Sequence, residues 1–167
     1  AFALPQSGVT PALQKQINQT VDKGVNFLLN RQLPDGSWES WADSYTGGLT
    51  PVCLYALLKS GIPPEHPAIL RGLAYLQVRQ PAHTYNTGFL LLALTSTRNP
   101  QYAAWAEDLA ATLGEWQQSS GLWGYPGGHE DLSNALIAVL ALDAAEVFGI
   151  EMSNKFWNRT LEGVERC

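Results

Sequence analysis

One string of residues recurs along this chain and limits the folds open to it. Lys23-Gly24-Val25-Asn26-Phe27-Leu28-Leu29-Asn30-Arg31-Gln32 aligns without a gap to Arg71-Gly72-Leu73-Ala74-Tyr75-Leu76-Gln77-Val78-Arg79-Gln80. Basic, Gly, aromatic, Leu, Arg and Gln fall at the same offsets. A third copy, Leu113-Gly114-Glu115-Trp116-Gln117, keeps the Leu and the Gln, and there the residues after Gln repeat as well. Gln32, Gly36 and Trp38 match Gln117, Gly121 and Trp123, so both stretches read Q-x-x-x-G-x-W. Each Gln is followed by an apolar segment containing Ala-Leu, 24 residues on in copies one and three and 13 in copy two. Self-similarity at about 40 residues is the mark of stacked helical hairpins, whose apolar faces are buried only against neighbouring units.

Each unit therefore reads as a first helix ending near Gln, a Gly-rich loop, a second helix and a return. Helix signals agree. Thr50-Pro51 supplies an N-cap with Pro at the first helical position, Gly61 with Pro63-Pro64 ends that helix, and Pro67 opens the next. Asp131 or Ser133 is placed to cap the helix that runs to Phe148. The spacing predicts helices at 10–31, 50–60, 67–79, 87–96, 101–117, 133–148 and 153–165, with a tail over 1–9 and units at 10–61, 66–97, 101–149 and 153–167 within one domain, 10–167. First helices are amphipathic, as in the stripe Ile17, Val21, Gly24, Phe27, Leu28, Arg31. Second helices are apolar nearly all round, as in Leu136-Ile137-Ala138-Val139-Leu140-Ala141-Leu142, so they are expected to be buried on most sides, an inner layer sheathed by an outer one.

Composition removes several classes of function. Ten basic against fifteen acidic residues give a net charge of −5, without the Lys/Arg cluster that a run of phosphates requires, so no nucleic-acid partner is expected. The longest apolar stretch, Ala135 to Ala145, carries Asp143 and falls short of the ~20 residues that span a bilayer, so no transmembrane segment is expected. Two cysteines, Cys53 and Cys167, make no disulfide framework and leave the redox compartment open. Ala1-Phe2-Ala3-Leu4-Pro5 has small residues spaced as at the end of a cleaved signal peptide, so export is one expectation for localisation.

The repeated residues have a physical role without reference to any family. A Gln just past a helix end offers its amide to backbone groups of neighbouring helix termini, Gly permits positive φ, and Trp covers the junction. Gln32, Gly36, Trp38, Gln80, Gln117, Gly121 and Trp123 are therefore read as staples between units. The alternative, that the Trp residues line a site, fits less well because a ligand rarely needs the same residue in every unit.

The string from Lys23 to Trp38, K-G-x-x-F-L-x-x-x-Q-x-x-x-G-x-W, resembles the QW repeat of squalene and oxidosqualene cyclases, and related repeats occur in protein prenyltransferase β subunits. The resemblance implies an all-α fold, the α/α toroid, with inner and outer helices alternating around a cavity. About three and a half hairpins are present here, so the expectation is a partial, open arc. Its last inner helix is then expected to need cover from further repeats or from self-association.

The chemistry of those families is less evident. The D-x-D-D acid motif of the cyclases is absent, and the Asp-x-Cys zinc motif of the prenyltransferases fails because Pro51 stands two residues before Cys53. No metal and no cofactor are expected. Gly127-Gly128-His129-Glu130-Asp131 holds the candidates for catalysis: Glu130 and Asp131 as a general acid and its tuner beside His129, or as a cap for the following helix. Trp41, Tyr45, Tyr85, Phe89 and Tyr125 sit in loops or at the start of second helices, where they could hold an apolar or cationic ligand at a cavity rim. Junction packing is the other reading of these aromatics.

Two functions follow as expectations. The first is a non-catalytic scaffold whose concave face takes an apolar small molecule or a protein partner. The second is the N-terminal part of a terpenoid-cyclase-like enzyme acting on an isoprenoid, its catalytic acid lying outside this chain. A glycan-active α/α enzyme would need two spaced carboxylates, for which Asp43, Glu130 and Asp131 are the candidates.

Overall fold

The computed structural model describes residues 9–38, 48–79, 82–125 and 128–166. Among these the chain is all-helical: α1 (Pro11–Arg31), α2 (Thr50–Lys59), α3 (Pro67–Gln77), α4 (Thr84–Thr97), a 3-10 turn (Pro100–Tyr102), α5 (Ala103–Glu115), α6 (Leu132–Phe148) and α7 (Asn154–Glu165). The described residues hold no strand, only an isolated bridge between Gly124 and Glu130.

Local chemistry sets the boundaries. Thr10 caps α1 by accepting from the Leu13 N–H at 3.2 Å, with Pro11 inside the first turn. His66 caps α3 through Nδ1, which accepts from the Ala68 N–H at 3.1 Å. Helices α2 and α6 end in the same way: Gly61 and Gly149 take φ of +91° and +107°. Beyond them the N–H of Ile62 and Ile150 bonds back to Leu57 O at 3.1 Å and Ala145 O at 2.9 Å, the six-to-one closure that satisfies terminal carbonyls. Helix α4 begins three residues ahead of the position its sequence suggested, and α5 is entered through the 3-10 turn, where Asn99 accepts from the Gln101 N–H at 3.1 Å.

Second helices form the centre of the packing. Helix α4 lies between α2 and α6, α3 rests on α2, and α5 packs on both α4 and α6. The three second helices run in parallel. At their N-terminal ends the Asn86 Nδ2 donates to Gly48 O and the Thr84 Oγ1 to Gly124 O, while Lys59, Arg98 and Phe148 share one cleft at the other end. Leu54, Leu57, Leu90, Leu91, Leu94 and Leu142 are fully or almost fully buried here, each stabilising by roughly 1.5–3 kcal/mol. Gly88 lets α6 approach α4: a Cβ there would stand 2.6 Å from Ile137 Cγ2.

Two faces differ from the sequence reading. Helix α4 is buried nearly all round, as its composition suggests, but α6 leaves Leu136 and Leu140 58% and 46% exposed, because it has a second-type neighbour only on its α4 side. The stripe of α1 also stays open. Ile17 and Val21 are 42% and 41% exposed, since α1 meets α2 only through its last turns, where Val25, Leu28 and Leu29 are half-buried.

Candidate functional site: glutamine staples and an aromatic row

The two Gln residues followed by Gly and Trp sit in matching hydrogen-bond networks. Gln32 Nε2 donates to Gly36 O at 3.0 Å and to Ala68 O at 2.8 Å in the first turn of α3, and its Oε1 accepts from Arg71 at 2.5 Å. Gln117 Nε2 donates to Gly121 O at 3.1 Å and to Thr160 Oγ1 at 2.8 Å on α7, and its Oε1 accepts from Arg159 Nε at 2.9 Å. Each amide thus ties one first helix, its own loop and the next first helix, using both donors and the acceptor. The loops agree bond for bond: Leu33 N–H to Ser37 O at 2.8 Å and Gly36 N–H to Leu33 O at 3.0 Å in one, Gln118 N–H to Leu122 O at 2.9 Å and Gly121 N–H to Gln118 O at 2.9 Å in the other. Gly36 and Gly121 have φ of +91° and +89°, and a Cβ on either would collide with a carbonyl oxygen, that of Arg71 or that of Arg159. Gln80 lies outside the described residues.

Above this frame the aromatic side chains of different units meet. Tyr55 of α2 faces Phe89 of α4 with ring centroids 6.0 Å apart, Phe89 faces Tyr85 one turn earlier at 6.3 Å, and Tyr85 lies parallel to Tyr125 at 6.2 Å and 5°. His83 meets Tyr125 edge-on at 6.1 Å. The row therefore passes through α2, α4 and the loop before α6. Tyr55, Tyr85 and Phe89 are half-buried and Tyr125 is exposed, a surface both apolar and reachable. The loops behind the row are held by Thr84 on Gly124 O at 2.9 Å and Asn86 on Gly48 O at 3.2 Å. Tyr55 was not singled out by the sequence. Tyr55 is the only aromatic in the apolar run of α2, and that isolation was the available signal. Trp41 and Tyr45 lie outside the described residues, as does Asp43.

The acidic pair beside the row has a structural occupation. Asp131 Oδ1 accepts from the Asn134 N–H at 2.8 Å and the Ser133 hydroxyl at 2.6 Å, while Oδ2 accepts from Asn134 Nδ2 at 2.7 Å, so this carboxylate caps α6. The Ser133 hydroxyl foremost, and then the Asn134 backbone N–H, hold its carboxyl below the ordinary aspartate value, the opposite of what a neutral-pH proton donor needs. Glu130 is half-buried next to it and His129 is exposed. Among the described residues no group of three or more His, Cys, Asp or Glu is placed to hold a metal ion, and no helix is long and apolar enough to cross a membrane.

Two clefts lie away from the row. One of about 620 Å³ opens at the C-terminal ends of α2, α4 and α6 beside Lys59, Arg98 and Asp143. The other, of about 370 Å³, runs between α6 and α7. No family model, curated protein or solved structure matches this chain.

Proposed function

We propose that this chain is a squalene cyclase/prenyltransferase-like repeat domain, an open arc of the α/α toroid, acting as a scaffold that holds an apolar small molecule on its aromatic row. The observation that carries the reading is the continuity of Tyr55, Phe89, Tyr85 and Tyr125 across three units. Packing within one junction needs only neighbouring rings, whereas a row through two second helices and a loop offers an extended apolar surface of the kind that binds elongated hydrocarbons. A binding role is favoured over catalysis because Asp131, the carboxylate with the most hydrogen bonds near the row, is engaged as a helix cap. In this reading the Thr84 and Asn86 hydrogen bonds, which tie α4 to the loops before α6 and α2, hold the rings in line.

Mass spectrometry of organic extracts from the purified chain tests the reading. A co-purifying apolar compound is expected, reduced about tenfold, the equivalent of ~1.4 kcal/mol, in a variant carrying Tyr85→Ala and Phe89→Ala. Equal recovery from both proteins would contradict it.

A further inference from the structure

We infer that the cleft at the C-terminal ends of α2, α4 and α6 is a binding site for a small monocarboxylate with an apolar body. The inference is independent of the ligand reading, because this cleft lies away from the aromatic row. It rests first on how the three parallel helices end. Each stops on a residue in the left-handed region: Gly61 after α2, Gly149 after α6 and Arg98, with φ of +53°, after α4. Among the described residues Arg98 is the one non-glycine at positive φ. An L side chain is strained there, and backbone strain of this kind is concentrated at ligand-binding sites. Compensation of the α4 dipole does not require it, since a cation anywhere in the last turn serves, as Lys59 does on α2.

The cleft supplies both parts of a carboxylate site. Lys59, Ser96 and Arg98 line it, and among the described residues their side chains have no hydrogen-bond or ion-pair partner. A guanidinium fork takes the two oxygens of a carboxylate side by side, with Lys59 adding positive charge and Ser96 a hydroxyl donor. The carbonyls at the helix ends are already engaged and do not oppose an anion. Leu94 O accepts from Thr97 Oγ1 at 2.6 Å and Thr95 O from the Arg98 N–H at 3.1 Å, while Leu57 O and Ala145 O are closed by the Ile62 and Ile150 N–H groups. Ala103 of α5 with Val147 and Phe148 of α6 form an apolar wall, and the volume of about 620 Å³ suits a small molecule. Asp143 is on the same lining, so two cations stand against one carboxylate. The single excess positive charge matches a monocarboxylate and disfavours a second negative group beside Asp143.

Calorimetric titration of the full chain with decanoate tests this, with decanol and decanedioate as neutral and doubly charged probes of equal length. Saturable binding of decanoate is expected, weaker by about tenfold for either other probe, by about tenfold in Lys59→Gln and by more in Arg98→Gly. Asp143→Asn should narrow the gap between decanoate and decanedioate. Tyr85→Leu with Phe89→Ala should leave decanoate binding unchanged, which separates this site from the row. Urea unfolding adds a readout that an arginine serving only the fold would move the other way: Arg98→Gly relieves the left-handed strain, so its midpoint should hold or rise while binding is lost. No binding of decanoate, equal binding of decanol or decanedioate, wild-type affinity in both cation variants, an unchanged gap in Asp143→Asn, loss of decanoate binding in the row variant, or a lower midpoint for Arg98→Gly would each overturn the inference.

Discussion

Trp38 and Trp123 make the same hydrogen bond: each indole Nε1 donates to the carbonyl oxygen ten residues earlier, Leu28 at 2.8 Å and Leu113 at 2.7 Å. In both places the ring closes the junction between a first helix and its loop, while the Gln of the same loop reaches the next first helix. The two sites are built from separate residues, so their energetic contributions should be separate as well.

Replacing Trp123 with Phe keeps most of the apolar volume but leaves the buried Leu113 carbonyl without this donor. A loss of about 1–3 kcal/mol is expected. Trp38→Phe should cost a similar amount, and the double variant should approach the sum because no partner is shared. Urea unfolding of the four proteins checks this.

Gly36 and Gly121 are predicted to tolerate Ala worse than Gly61 does. All three have φ near +90°, so each substitution incurs the ~1 kcal/mol of left-handed backbone strain. Only Gly36 and Gly121 also face a backbone carbonyl of the next first helix, while nothing lies within 4 Å at Gly61. The two staple variants should lose at least ~2 kcal/mol, with Gly61→Ala near ~1 kcal/mol in the same unfolding assay.

The Asp131 cap predicts a pH signature. Its carboxyl is held below the ordinary value in the folded chain, chiefly by Ser133 and then by the Asn134 N–H. The unfolded chain therefore takes up the proton first as pH falls. The cap's contribution is fully present above the unfolded value of about 4 and is lost as pH drops through the folded value. Asp131→Ala should cost about 1 kcal/mol at pH 7, and the difference from wild type should shrink in acid. Unfolding curves for both proteins across this range supply the measurement.

Burial pushes the Cys53 thiol up to about 11. In a Cys167→Ser background, alkylation of Cys53 at pH 8 should be slower than that of an exposed cysteine by roughly 100-fold, following thiolate fraction. Added denaturant should restore the ordinary rate.

Helix boundaries were legible where a residue type forces the backbone. Pro51 and Pro67 mark starts, Gly61 marks a stop, and Asp131 lies close enough to α6 to cap it. The matching ends of α2 and α6 were present in the sequence as Gly61-Ile62 and Gly149-Ile150, but a two-residue repeat carries little weight until the carbonyl it closes is known. The start of α4 was less clear because His83, its N-cap, makes no side-chain cap bond. Faces were harder still. Leu136 and Leu92 look alike in sequence, yet one is exposed and the other buried because α4 has neighbours on both sides. The aromatic row was legible only in part: Tyr85, Phe89 and Tyr125 stand where a loop meets a helix, whereas Tyr55 joins them through the packing of α2 on α4.

Titration of the chain with a linear fifteen-carbon isoprenoid alcohol, followed by calorimetry, tests the ligand reading most directly. One-to-one saturable binding is expected, weakened about tenfold, ~1.4 kcal/mol, by Tyr85→Leu with Phe89→Ala, and unchanged by Phe27→Ala on the exposed side of α1. Binding without saturation, or equal affinity in the row variant and the wild type, would contradict the account.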